Sequence, residues 1–125
     1  NPPSVIEPFV ELLDRYRMRP HVLVASFSDT LLFSFRAAAP DVLTSLSPLE
    51  VAQLLVLTPE QEPLYSPPAP FAQVPPFSGT TRVLSADFVA KAHRVGLLVH
   101  AWDVDDQMQE TIDLGVDGLI VDDPE

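Results

Sequence analysis

Cysteine is absent from this chain of 125 residues, which removes disulfides, thiolate nucleophiles and cysteine-bound zinc at once. Basic residues are scarce: 7 Lys and Arg stand against 18 Asp and Glu, a formal net charge of -11. A polyanion needs a Lys/Arg footprint, so nucleic acid is excluded as a partner. The same imbalance argues against docking on an anionic membrane. No apolar run approaches the roughly 20 residues that a membrane-spanning helix needs. The amino terminus, Asn1-Pro2-Pro3, has no basic segment, no apolar stretch and no initiator methionine. It reads as lacking a signal peptide, and as the start of something processed or cut from a longer chain.

What is present suits a packed core. Hydrophobic residues make up 46% of the chain, and a domain of this size buries about two-thirds of its unfolded surface. The reading is a soluble, acidic, globular domain. Cysteine usage leaves its compartment open, with the cytoplasm slightly favoured.

Local signals then alternate along the chain. Ser4-Val5-Ile6-Glu7 fits a capping box, and Phe9, Leu12, Leu13 and Tyr16 follow at helical spacing before Pro20. His21 to Phe27 is an unbroken apolar run of the kind that suits a parallel strand buried on both faces. Ser28-Asp29 caps a helix through Leu31, Leu32, Phe35 and Arg36, and Val42 to Leu46 is a second strand. Ser47-Pro48-Leu49-Glu50 sets a cap, an N1 proline and a reciprocal Glu in register for a helix through Leu54. Between Thr58 and Thr81 the chain carries seven of its 14 prolines. That density forbids helix and central strand over most of a Pro-rich insertion, leaving Phe71-Ala72-Gln73-Val74 as its one short strand. Ser85 opens another helix, with Phe88, Val89, Ala92 and Val95 as its apolar stripe and Gly96 as its stop. Alternation of this kind predicts parallel strands joined by helical crossovers.

The last segment is the most specific. Gly96 to Asp105 and Gly115 to Pro124 are two apolar runs, each ending in acidic residues, around a short helix carrying Met108 and Ile112. By strand parity Leu98, His100, Trp102 and Val104 share one face, while Val99, Ala101 and Asp103 share the other. Asp103, Asp105, Asp106, Asp122 and Asp123 gather near the strand ends. A cation site there is conceivable on oxygen chemistry; helix capping by Asp103 or Asp105 and solvated loop carboxylates are the favoured reading.

The ordered set Phe88-Val89-Ala90-Lys91-Ala92-His93, Gly96, Trp102-Asp103-Val104-Asp105 and Gly115-Val116-Asp117-Gly118-Leu119-Ile120-Val121-Asp122-Asp123-Pro124 resembles the closing pattern of the glycerophosphodiester phosphodiesterase family. Val22 to Phe27 resembles the family's apolar strand ending in Ser-Phe, and Gln73-Val74-Pro75 its Gln-Val-Pro stretch. The resemblance covers nearly the whole chain and is weakest from Thr58 to Pro70. It implies an α/β fold: the C-terminal half of a (β/α)8 TIM barrel, about four to five parallel strands with helices, since a whole barrel typically takes about 250 residues. It implies one unit over residues 1–125 with the Pro-rich insertion at 58–81.

The implied activity is a phosphoric diester hydrolase of lipid and glycerol metabolism, cleaving glycerophosphodiesters to glycerol 3-phosphate and an alcohol. The complete domain is expected to use a divalent cation, calcium or magnesium. The family's His-Arg-Gly, Glu-x-Asp, His-Asp and Glu-x-Lys motifs are not found here, so no catalytic residue and no metal ligand is assigned. This chain alone is expected to be inactive and to bind no cation. His93-Arg94 is followed by Val95 and sits in a helix, His21 is a strand-edge residue, and His100 is an interior histidine. The substrate-binding candidates are Trp102, as an apolar wall against glycerol, with Phe27 and Ser26 near the mouth. Asp103, Asp105 and Val121 stand where the family usually has Thr, Asn and Thr. The alternative is a non-catalytic half-barrel, or degenerate family member, serving as a binding or structural domain; a further one is another phosphate-handling barrel. The expected partners are the missing N-terminal half-barrel or a second copy.

Overall fold

The computed structural model describes residues 5–122; Ser4 of the first capping box and Asp123 and Pro124 of the closing motif lie outside the described residues. Helix α1 (Ile6–Arg15), strand β1 (Leu23–Val24), helix α2 (Asp29–Ala38), strand β2 (Leu43–Thr44), helix α3 (Pro48–Leu55) and strand β3 (Phe71–Val74) come first. A hairpin of β4 (Phe77–Ser78) and β5 (Thr81–Arg82) follows, then helix α4 (Ala86–Arg94), strand β6 (Leu98–Trp102), helix α5 (Met108–Asp113) and strand β7 (Gly118–Ile120). Among the described residues, no helix is long and apolar enough to cross a membrane.

The helix starts are built from local chemistry. The hydroxyls of Ser28, Ser47 and Ser85 accept the N–H groups of Leu31, Glu50 and Phe88, filling donors that a helix start leaves orphaned. At Ser47 the box is reciprocal, because the Glu50 carboxylate accepts the Ser47 N–H at 2.8 Å. Helix α4 ends as its glycine predicts: Gly96 sits at φ 92°, its N–H reaches the His93 carbonyl, and the Leu97 N–H reaches that of Ala92. This is the paired arrangement that satisfies the last carbonyls of a helix.

The sheet order defines the architecture. Strand β1 pairs in parallel with β2, and a bridge from Ser45 to Phe71 carries the pairing on to β3. Strand β6 then lies between β3 and β7, parallel to both. Five parallel strands thus stand side by side in chain order, each joined to the next across the sheet by helix. A doubly wound sheet reverses its order at a switch point, whereas a barrel does not. The chain is the α/β half-barrel that its sequence predicts.

The Pro-rich segment departs from expectation. The sequence allows it one strand at Phe71–Val74, which forms, but the segment also holds the antiparallel β4–β5 hairpin. Pro75 and Pro76 end β3, and the proline-free stretch that follows is long enough to fold back through a turn at Gly79, φ 61°. Asp103 and Asp105 also depart from their expected role. The cap position of α5 is Gln107, without a side-chain cap, while Asp105 accepts the Asp122 N–H. Asp103 sits at φ 59°, so strand alternation breaks there and Val104, expected on the Trp102 face, is buried in the core instead.

The two sheet faces differ. Ala72, Val74, Val99 and Ala101 are fully buried, under Leu54, Phe88, Val89 and Ala92 from α3 and α4. A second cluster joins Ile6, Leu13, Phe35, Ala39 and Val42 on the α1–α2 side. Between the clusters, the Arg36 guanidinium spans both Glu50 carboxylate oxygens at 2.7 and 2.8 Å, Thr44 Oγ1 and the Ser45 carbonyl. The opposite face carries Leu43, Leu98 and Ile120, each about half exposed, with His100 and Trp102 between them.

On that face β7 approaches β6 closely. Gly118 lies opposite His100, and a Cβ at Gly118 would come 3.0 Å from His100 Cδ2. The imidazole has little room to yield, since Gln73 Nε2 holds its Nδ1 at 3.1 Å and the Phe71 ring lies 5.0 Å away. Gly118→Ala is expected to destabilise the chain by about 1–3 kcal/mol. In a His100→Ala background the same substitution should cost far less, a coupling that urea denaturation of the four proteins measures directly.

Candidate functional site

A cleft of about 860 Å³ opens at the carboxyl ends of the parallel strands, where α/β barrels place their sites. Each strand sends its last residues into it: Ser26 and Phe27 after β1, Ser45 and Leu46 after β2, Gln73 to Pro75 at β3, Trp102 and Asp103 at β6, Ile120 and Asp122 at β7. The hairpin adds Phe77, Ser78 and Thr81. The structure therefore brings Ser26, Phe27 and Trp102 to the same cleft. The Phe27 and Trp102 rings meet edge to face with centroids 5.4 Å apart, a favoured geometry for aromatic pairs. Phe27 is otherwise 82% exposed, and Trp102 is half-buried on the open face of the sheet. Ser26 Oγ accepts the Ser28 N–H at 3.0 Å, and its hydroxyl keeps a proton to donate.

No Lys, Arg or His is among the residues lining the cleft. A second hollow of about 380 Å³ adjoins it, lined by Pro76, Phe77 and Asp103 to Gln107, with Asp122. Of the described aspartates, Asp103, Asp105, Asp106 and Asp122 line this hollow. Nonetheless, among the described residues no group of three or more His, Asp or Glu side chains is placed to hold a metal ion. Asp105 accepts the backbone N–H of Asp122 across this hollow.

The closing motif itself supports the site. The Asp117 carboxylate accepts the Val99 N–H and meets His93 Nε2, both at 2.7 Å, and the Asp117 N–H returns to the Val99 carbonyl at 2.8 Å. One side chain thus locks the start of β7 to β6 and both to α4. Its carboxyl is held below the ordinary range: burial pushes it up, but the Val99 N–H and the His93 imidazole outweigh that. Gly115 ends α5 and Gly118 clears the His100 ring. His93 is a helix residue, as its sequence context predicts. His100 faces the open side of the sheet, with Gln73 on its Nδ1. His21 lies in a tight turn before β1.

Sequence reasoning missed the hairpin residues Phe77, Ser78 and Thr81. The signal available was the Ser78-Gly79 dipeptide, a turn marker inside a segment dominated by proline.

Five singly wound parallel strands with a cleft at their carboxyl ends define part of a (β/α)8 barrel with a barrel-mouth site. The chain belongs to the glycerophosphoryl diester phosphodiesterase family, whose model matches residues 6–125. It is similar to a solved structure described as a glycerophosphoryl diester phosphodiesterase from Silicibacter pomeroyi DSS-3, at 26% identity and TM-score 0.75. That match covers 98% of this chain and 42% of the other. A structure described as a glycerophosphodiester phosphodiesterase from Galdieria sulphuraria matches at 22% identity and TM-score 0.67, over 92% of this chain and 45% of that one, and speaks for the fold. The chain thus spans less than half the length of these two solved relatives. No curated protein matches it by sequence.

The depressed Asp117 carboxyl carries a pH dependence. A group whose folded pKa lies below its unfolded value of 3.8 stabilises fully above that value and loses its contribution as pH falls through the folded pKa. Asp117→Asn is expected to cost about 2 kcal/mol near neutrality, as for a charged hydrogen-bond acceptor. Urea unfolding repeated near pH 3 should show the gap between the two proteins narrowing.

Proposed function

We propose that this chain forms the glycerol-binding wall of a phosphoric diester hydrolase that cleaves glycerophosphodiesters to glycerol 3-phosphate and an alcohol. The observation that carries the reading is convergence: Ser26 and Phe27, some 75 residues from Trp102 in sequence, meet it at the mouth of the same cleft. An aromatic pair offers the carbon face of glycerol an apolar surface, and the Ser26 hydroxyl offers a donor to a glycerol or phosphate oxygen. Such groups bind and orient; they do not move protons. Acid–base chemistry and the divalent cation, which polarises phosphoryl oxygens in reactions of this class, belong on this reading to barrel strands that this chain does not contain.

The substitution of Asp105 for the family's usual Asn favours a second reading, a binding unit without catalysis. Its carboxylate ties the loop after β6 to the end of β7, which is structural work. Residues encoded upstream of Asn1 separate the two: His-Arg-Gly and Glu-x-Asp motifs there mark the enzyme, and their absence marks the binding unit.

For the chain alone, glycerophosphocholine with millimolar calcium or magnesium should give no turnover above the buffer blank; release of glycerol 3-phosphate would overturn the proposed division of labour. The half-exposed Leu43, Leu98 and Ile120 and the unpaired outer edges of β1 and β7 also favour self-association of the isolated chain. Light scattering should show mass rising with concentration, and a clean monomer at high concentration would count against an uncovered sheet face.

A further inference from the structure

The β4–β5 hairpin is not part of the barrel's repeating unit, yet it supplies part of the cleft. It rises after β3, the central strand of the five, and its residues Phe77, Ser78 and Thr81 line the large cleft together with Trp102. Phe77 lines the smaller hollow as well, so the residue stands at the partition between the two. Asp103 and Asp122 share that position, but Phe77 is the bulky and apolar member of the three.

The hairpin is held at its base. The Pro76 carbonyl accepts the N–H groups of Val83 and Leu84, the Arg82 side chain donates to the Leu84 carbonyl, and its guanidinium lies 5.2 Å from the Phe77 ring centroid. A hairpin of two-residue strands is marginal by itself. These anchors fix where the partition stands, while leaving Phe77 49% exposed.

A phosphodiester has two arms. With glycerol against Phe27 and Trp102, the cleft continues past Pro75 to the hairpin, and the second arm runs toward Phe77. We infer that Phe77 is a specificity-determining residue: its ring closes the cleft to bulky cyclic polyol esters and admits small acyclic alcohols. This rests on the substrate reading above. Truncating the ring joins the smaller hollow to the cleft and removes the barrier. A side chain acting by steric exclusion discriminates by about one order of magnitude.

Trp102 is the single tryptophan of the chain and sits in the cleft, so its emission reports binding without any need for turnover. Glycerophosphoglycerol and glycerophosphoinositol carry the same charge and differ in the size of the alcohol. The wild-type chain is expected to bind the glycerol ester about tenfold more tightly than the inositol ester. Phe77→Ala should bring the two within about twofold, and Phe77→Leu should fall between, with circular dichroism confirming that each variant folds as the parent does. Binding of both esters with a ratio unmoved by Phe77→Ala, or no preference in the parent, overturns the role of Phe77 and leaves the substrate reading standing. If neither ester moves Trp102 emission, the substrate reading fails, and the role of Phe77 fails with it.

Discussion

A parallel sheet covered by helices on one face is the constraint from which the rest of the structure follows. Parallel strands joined by helical crossovers are normally buried on both faces. Here α3 and α4 pack over Ala72, Val74, Val99 and Ala101, while Leu43, Leu98 and Ile120 stand half exposed on the other face. The alternation along β6 is therefore not an amphipathic strand at a solvent boundary in the ordinary sense. Apolar residues occur on both faces, with the polar His100 and Gln73 joined to each other between them. A sequence patterned for two covers is folded here with one, and the cleft at the strand ends is accordingly a wall rather than an enclosure.

Short strands make side-chain ties matter. Strands β1 and β2 pair over two residues each, too few backbone bonds to fix them firmly. Arg36 supplements them by reaching from α2 to β2 and to Glu50 at the start of α3. Glu50 is itself buried, and a buried ion pair broken on one side costs several kcal/mol, about 3–5. The other half of the sheet has its own tie in Asp117, which joins β6, β7 and α4. Lys91 completes the set: its ammonium caps the carbonyls of Leu54, Leu55 and Leu57 at the end of α3, where positive charge also suits the helix dipole. Arg94 adjoins it and fixes Glu62, at the start of the excursion. Polar clamps rather than long ladders hold the strand ends in place.

What was legible in the sequence was local. Ser28, Ser47 and Ser85 announce helices because a cap is satisfied within three residues of itself. The apolar runs announce strands because a strand buried among others needs no polar alternation. Parity sets Trp102 on a face with Leu98 and His100, and the family resemblance sets Ser26 and Phe27 near the mouth; the ring contact between Phe27 and Trp102 is visible only in the structure, since no local rule connects residues so far apart. The failures share a cause. Local spacing offers Asp103 or Asp105 as the cap of the next helix, but Asp105 bonds the Asp122 N–H 17 residues away. The hairpin was hidden because proline density masks a short proline-free stretch. Within Gly115 to Asp122, Ile120 and Asp122 line the cleft while Asp117 and Gly118 hold β7 and make room for His100, and no sequence pattern distinguishes a residue that binds from one that positions.

The electrostatics of the cleft limit what this chain can do. A phosphodiester is an anion, and the chain carries a formal charge of -11, with no Lys, Arg or His lining the cleft and four of the described aspartates lining the adjoining hollow. Preorganised positive charge is the largest single contribution to phosphoryl-transfer catalysis. The described residues of this chain place none beside Trp102. On the proposed reading, compensation arrives across the open face of the sheet, from the part of the barrel that closes over it. Shape and charge are then contributed by different segments of one domain: this one sets which diester fits, and the other makes its phosphorus reactive.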